Sequence, residues 1–425
     1  MIRILEDHTG TRIGSARVDG AHVAVDMRHE PMTRADWTTH DYNVHFCVGL
    51  ENAGPADTEI ELSVEGGRWD DLPDRTPLLY AANDAAGPFA PATFPARTDL
   101  RRRYVARIPL AAGARVYVAN TLVRDLSLLS ADFDKIASAG GAERRVIGHS
   151  LEDRELVAYL YGDPAKGTLL VSSGFHPPEP DTLATAEIMR YLASAEGQAL
   201  AARLAVAILP ITNPDGYADG TQGSNAADIN FYWHFARELP QRCPEAAALW
   251  RFAESLAPRA YIDFHCYTFQ LGKQAGPYLR PSFFHDGAPV RTACEALYRR
   301  LQEDVPGRPV TGFGTYAPHT LGAMLNARFD TISLAKYHLH LAEGEAGCRD
   351  RGKRVFRAMA ETLLAHGLAG PAPGKGAAWR APLCQALIWW AGLLRPTIGK
   401  LRRGQFGQVR MDRTALVPAE DGLAD

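Results

Sequence analysis

The chain of 425 residues is 46% hydrophobic and 22% charged. That profile belongs to globular proteins rather than disordered or fibrous ones, and the length is enough for two domains with cores of their own. A formal net charge of −3 lacks the basic excess that polyanion binding uses, so no nucleic acid is expected as a partner. Cys47, Cys243, Cys266, Cys294, Cys348 and Cys384 show no CxxC spacing, which fits neither a disulfide framework nor a cysteine zinc cage and suits a reducing compartment.

The opening MIRILEDHTGTRIG carries charge early and has no apolar stretch, so no secretory signal is expected and the cytoplasm is the default address. Residues 1–125 read as β-rich: HVAVDM, YNVHFCVGL, TEIELSVEG and ARVYVANTLV alternate or run apolar between Gly, Pro, Asn and Asp. They predict a small antiparallel β-sandwich domain, which has no ligand cluster and whose expected role is packing or substrate gating.

Residues 126–370 have a different texture. The strand VAYLYGD precedes a turn at Pro164 to Gly167, the apolar run TLLVSSGF and the helical stretch TLATAEIMRYLAS. The run LAVAILPIT, the helix CPEAAALWRFAESLA and the strand AYIDFHCY follow. This alternation predicts an α/β domain, a mixed, mostly parallel sheet with helices on both faces. Ligands in such folds sit beyond the carboxyl ends of strands. GFHPPEP, ITNPDGY and DFHCY all begin there. In residues 371–425 a Pro/Gly-rich linker (GPAPGKGAA) leads to an apolar helix around Trp389 and Trp390 and a basic, polar tail. The apolar run Leu383 to Leu394 falls short of the roughly 18 residues a membrane span needs.

His176 and Glu179 form a His-x-x-Glu pair on the loop after TLLVSSGF, able to aim an imidazole and a carboxylate at one cation. Zinc accepts such a mixture and, with three protein ligands, keeps a position open for water. His265, at a later strand end, is the candidate third ligand. Asp263, two residues before it, points the same way along a strand and is placed to steady the sheet or the ligand. Asn213 to Gly216 is a turn sequence that shapes the site rather than performing chemistry.

The order GFHPPEP, NPDGY, DIN and DFHCY, with RRVIGHSLEDRELVAYLYG upstream, resembles the zinc metallocarboxypeptidases, specifically the cytosolic type with an N-terminal β-domain. The resemblance covers about residues 115–365. It implies the zinc carboxypeptidase fold, one zinc ion on His176, Glu179 and His265, and Asn230 as a substrate contact. It also implies a mobile tyrosine over the substrate, for which Tyr316 in GFGTYAPHT is the candidate.

Two arginines of that pattern are missing. The one that follows the asparagine and grips a C-terminal carboxylate is replaced by Phe231, an apolar wall at the substrate. The other, just upstream, has no counterpart in residues 218–227. No neutral side chain replaces a bidentate guanidinium, so Gln222, Ser224 or Asn225 are left to meet a developing oxyanion, unless Arg280 or Arg328 arrives from elsewhere. The general base, a glutamate late in the family's domain, has two possible registers. With FDTISLA as the strand, Ser333 takes the position and the base is lost. With LGAMLNARFDTISLAKY as a helix and HLHLAE as the strand, Glu343 takes it, which is the preferred reading, with Glu345 in reserve.

The expected function is a zinc-dependent hydrolase of an amide bond in a peptide or acylated amino compound, using zinc-activated water and Glu343 as base. The alternatives are a metallocarboxypeptidase with a relocated arginine and a non-catalytic zinc-binding protein.

Overall fold

The computed structural model describes residues 1–5, 13–28, 30–33, 39–41, 45–65, 78–99, 103–233, 235, 241–268, 276–279, 282–304 and 320–370. Arg280, Tyr316 and the whole of 371–425, with its predicted linker, helix and tail, lie outside them. The described residues all fall within one compact unit.

The first part is two five-stranded sheets face to face. One sheet orders the strands Ile2–Leu5, Cys47–Asn52, Arg115–Ala119, Tyr80–Ala82 and Ala90–Pro91. The other orders Ala96–Asp99, Arg103–Leu110, Thr58–Glu65, His22–Met27 and Ile13–Asp19. Alternation builds the sandwich: Val23, Val25 and Met27 point inward with Ile60, Leu62 and Val64 to meet Val48, Leu50, Val116 and Val118. Pairing is antiparallel apart from His22–Met27, which runs parallel to Thr58–Glu65.

The second part is a seven-stranded sheet in the order Glu143–His149, Glu155–Tyr161, Ala205–Leu209, Thr168–Ser172, Ala260–Tyr267, Ile332–His340, Gly276–Leu279. Its four central members are mutually parallel and its outer ones antiparallel. The fold is therefore the predicted mixed α/β sheet. Thr168–Ser172 and Ala205–Leu209 are buried at every residue, which is why they read as unbroken apolar runs. Helices Thr182–Ala193, Ala288–Asp304 and Gly344–Ala365 cover one face. Pro244–Leu256 and Leu321–Phe329 cover the other.

Two elements differ from expectation. A helix at Leu126–Ala139, capped by the Asp125 carboxylate on the N–H groups of Ser127 and Leu128, joins the two parts. The stretch expected to be helical through Tyr337 stops at Phe329, where Asp330 turns left-handed (φ 59°), and Ile332–His340 is one strand. Apolar spacing at Leu325, Phe329 and Ile332 suits a helix face and a doubly buried strand alike, and the tertiary slot beside Ala260–Tyr267 decides for the strand. No helix among the described residues is long and apolar enough to cross a membrane. Their five cysteines are free and buried.

Candidate metal centre

His176 and Glu179 occupy the loop between the Thr168–Ser172 strand and the Thr182–Ala193 helix. Gly174 starts the loop at φ 72°, where a side chain would come within 2.8 Å of the Pro210 carbonyl oxygen, so only glycine lets these two loops close. The Glu179 N–H donates to the His176 carbonyl at 2.9 Å. That turn sets both side chains on the same side: His176 Nδ1 lies 3.1 Å from Glu179 Oε1. The other carboxylate oxygen lies 2.9 Å from His265 Nδ1 and accepts the Cys266 N–H, also at 2.9 Å.

His265 reaches this point from the Ala260–Tyr267 strand. Asp263 shares its face of the strand and takes His265 Nε2 at 3.1 Å, while Ser172 Oγ donates to the other Asp263 oxygen at 2.8 Å. With Nε2 donating to Asp263, the Nδ1 lone pair is left facing Glu179, the arrangement in which a carboxylate orients a ligating histidine. His176, Glu179 and His265 each offer one ligand atom within 4.8 Å of the others. Two imidazole nitrogens and a carboxylate oxygen, nearly enclosed, are a donor set that zinc accepts. Among the described residues no other group of three His, Cys, Asp or Glu meets that condition.

The charges fit together as tightly as the atoms. Burial opposes ionisation of Glu179, but the two imidazoles override it and hold its carboxyl well below the usual range. Burial lowers His176. Asp181, at the start of the next helix, is pushed well above the carboxylate range by burial and by the charge of Glu179, and one of its oxygens accepts the Gly174 N–H at 3.1 Å.

The remaining predicted residues divide. Asn230 joins the cluster, with Nδ2 3.4 Å from His176 Nε2. Phe231 turns away into the core, 1% exposed, its ring centre 5.6 Å from that of Phe175 and 6.3 Å from that of Phe235. Ser333 pairs with Tyr261 in the sheet and is buried beneath Gly322. Glu343 falls on a short 3-10 turn after the strand, one-third exposed, its two oxygens taken by Arg351 Nε and Nη2 at 2.9 and 3.0 Å. Arg328 stands at the surface 3.6 Å from Glu254. Asn225 spends its side chain on the Arg242 carbonyl, Glu245 and the N–H groups of Ala227 and Ile229. The Asn213 side chain binds the loops together, donating to the carbonyls of Phe175, Gly223 and Ser224 while accepting the Gly216 N–H.

His338, Tyr267, Lys336 and Tyr232 also lie near the cluster. His265 sits opposite His338 in the sheet, with ring centres 5.4 Å apart, and His338 stacks on Tyr267 at 4.1 Å. Lys336, on the same strand and 7% exposed, sets its ammonium 4.8 Å from the centre of the Tyr232 ring. That ring in turn lies 5.2 Å from His265 and 5.7 Å from His176. The alternation Lys-Tyr-His-Leu-His in 336–340 is the sequence signal for a polar face inside a buried sheet.

Comparison with known proteins bears on the fold and on one stretch of the sequence. No curated protein matches the chain. Among solved structures, a metallo-carboxypeptidase from Burkholderia cenocepacia superposes with a TM-score of 0.69 at 15% identity, over 86% of this chain and 99% of that one. A metallo-carboxypeptidase from Pseudomonas aeruginosa, solved with (2-guanidinoethylmercapto)succinic acid, gives 0.70 at 14% identity over 86% and 99%. A protein described as a carboxypeptidase A from Shewanella denitrificans gives 0.66 at 14% over 87% and 100%. Likeness at such identities is one of fold. The sequence itself speaks over a shorter span: residues 141–241, which hold His176, Glu179 and Asn230, match the zinc carboxypeptidase (peptidase M14) family.

Proposed function

We propose that this protein is a zinc-dependent hydrolase of an amide bond in a peptide or acylated amino compound. The observation that carries the reading is the convergence of His176, Glu179 and His265 with Asp263 behind His265. Zinc held by these three supplies a Lewis acid for a carbonyl oxygen and lowers the pKa of water toward neutrality. The chain's own residues do the rest. Asn230, beside His176, is the proposed contact that orients the substrate amide, and Tyr316 is the proposed tyrosine over it. Lys336 is the proposed source of the positive charge absent from residues 218–227. Ser224 Oγ, buried and without a partner among the described residues, is a donor for an oxyanion. Phe231, packed on Phe175, backs the Asn230 segment from within.

Glu343 is the proposed base. Its carboxylate acts on a proton only once released from Arg351. Glu343→Gln is expected to lower kcat at least 100-fold across a panel of peptides, their C-terminal amides and acyl amino acids, with zinc content unchanged. An unchanged kcat removes Glu343 from the mechanism. A second reading, a zinc-binding protein without turnover, is favoured by one observation. The strand face level with His265 carries Lys336 and His338 rather than a carboxylate. Full zinc loading with no hydrolysis anywhere on that panel is the result that selects it.

A further inference from the structure

The sandwich part reaches the metal-centre loops through the Glu30 carboxylate and the Thr121 hydroxyl. Glu30, 2% exposed, lies just ahead of the short Pro31–Thr33 strand, nearly two hundred residues away from the loop that it holds. Its Oε2 accepts the N–H of Gln222 at 2.7 Å, and its Oε1 accepts those of Gly223 and Ser224, both at 3.2 Å. Successive backbone N–H groups converging on one anion form a concave site of partial positive charge, and bonds to a carboxylate are stronger than neutral ones. The loop is thereby fixed at the place where it touches the metal ligands. A Cβ on Gly223 would stand 2.6 Å from His176 Cδ2 and 2.9 Å from Asn230 Nδ2, so the backbone here lies directly against both. A second contact works on the other flank. Thr121 Oγ1, buried at the end of the sandwich part, donates to the Pro178 carbonyl at 2.6 Å, between His176 and Glu179.

We infer that Glu30 is a positioning residue of the metal centre. By gathering the N–H groups of 222–224 it presses the loop onto His176 and Asn230, so that the sandwich part sets the orientation of a metal ligand. This inference rests on the hydrolase reading for the identity of the metal, but its geometry concerns only this chain. It has a further consequence. The three N–H groups in the segment where the resemblance expects an arginine are already engaged, and a substrate anion has to find its partner elsewhere.

The test uses the full-length chain with Glu30→Ala and Glu30→Gln. Hydrogen exchange on metal-free protein comes first: amides 222–224 are expected to be protected in the wild type, to exchange at least tenfold faster in Glu30→Ala, and to be intermediate in Glu30→Gln, which keeps one acceptor oxygen. Zinc affinity by chelator competition is then expected to fall about 10- to 100-fold in Glu30→Ala, the range seen when a group orienting a ligand is lost, with Glu30→Gln recovering part of it. Unchanged exchange at 222–224 in both variants overturns the inference, as does zinc affinity within twofold of wild type once that loop is loosened. Should Glu30→Ala fail to fold, Glu30→Gln alone carries both readouts. A wild type that binds no zinc would sink the hydrolase reading, and the exchange result still decides whether Glu30 holds the loop.

Discussion

Asp263 is the residue through which a strand becomes part of the candidate metal site. Its carboxylate lies between Ser172 and His265 and fixes the imidazole so that Nδ1 faces Glu179. Replacing it with Ala frees the ring to rotate and leaves the Ser172 hydroxyl without this acceptor. The expected loss in zinc affinity is about 10- to 100-fold, with Asp263→Asn milder, as read by chelator competition. An affinity unchanged in Asp263→Ala would mean that neighbouring rings, not the carboxylate, hold His265. At this scale the convergence of His176, Glu179 and His265 was legible because His-x-x-Glu and Asp-Phe-His both stand at strand ends, where the backbone leaves few directions for a side chain. Glu343 was less legible. Its partner Arg351 comes from the following helix, a tertiary contact that spacing does not announce. Phe231 was read as a wall facing substrate, and no pattern in Asn-Phe-Tyr-Trp says that Phe175 and Phe235 would enclose it.

At the scale of elements, the Pro244–Leu256 helix carries a cost at its first turn. Glu245 is fully buried, accepting from Asn225 Nδ2 at 3.2 Å and from the Leu151 N–H at 3.3 Å. Burial, only partly relieved by these bonds, raises its pKa above the ordinary value of 4.5. A carboxyl with a raised folded-state pKa favours the fold fully below the unfolded value, and that contribution is lost as pH rises through the folded one. Glu245→Gln, which cannot ionise and keeps an acceptor for Leu151, is therefore expected to gain stability relative to wild type between pH 4 and pH 7. Urea midpoints at the two values check this, and a difference independent of pH would contradict it. The strands Glu155–Tyr161, Thr168–Ser172, Ala205–Leu209 and Ala260–Tyr267 and the helices Thr182–Ala193 and Pro244–Leu256 could be read because apolar runs bounded by turn residues have few alternatives. Ile332–His340 was ambiguous for the opposite reason. Its first half, Ile332 to Ala335, shows no sustained polar–apolar alternation and only 336–340 alternate throughout, while Asp330 adopts a left-handed helix stop without being glycine.

The whole molecule joins a sandwich to an α/β sheet so that loops flanking His176 are held from both sides, by Glu30 on 222–224 and by Thr121 on Pro178. Composition showed that two cores were affordable, and strand order showed where a ligand would sit. The docking of one part on the other was invisible, because Glu30 lies among residues with no motif and makes its contact across nearly two hundred positions. The proposed chemistry depends on a metal at His176, Glu179 and His265. The most direct test is the zinc content of purified wild type beside His265→Ala, after reconstitution and removal of loosely held ions. About one zinc per chain in wild type, falling by at least tenfold in the variant while its circular dichroism stays native, is the predicted result. Zinc absent from both, or retained equally in both, would contradict the assignment of this site.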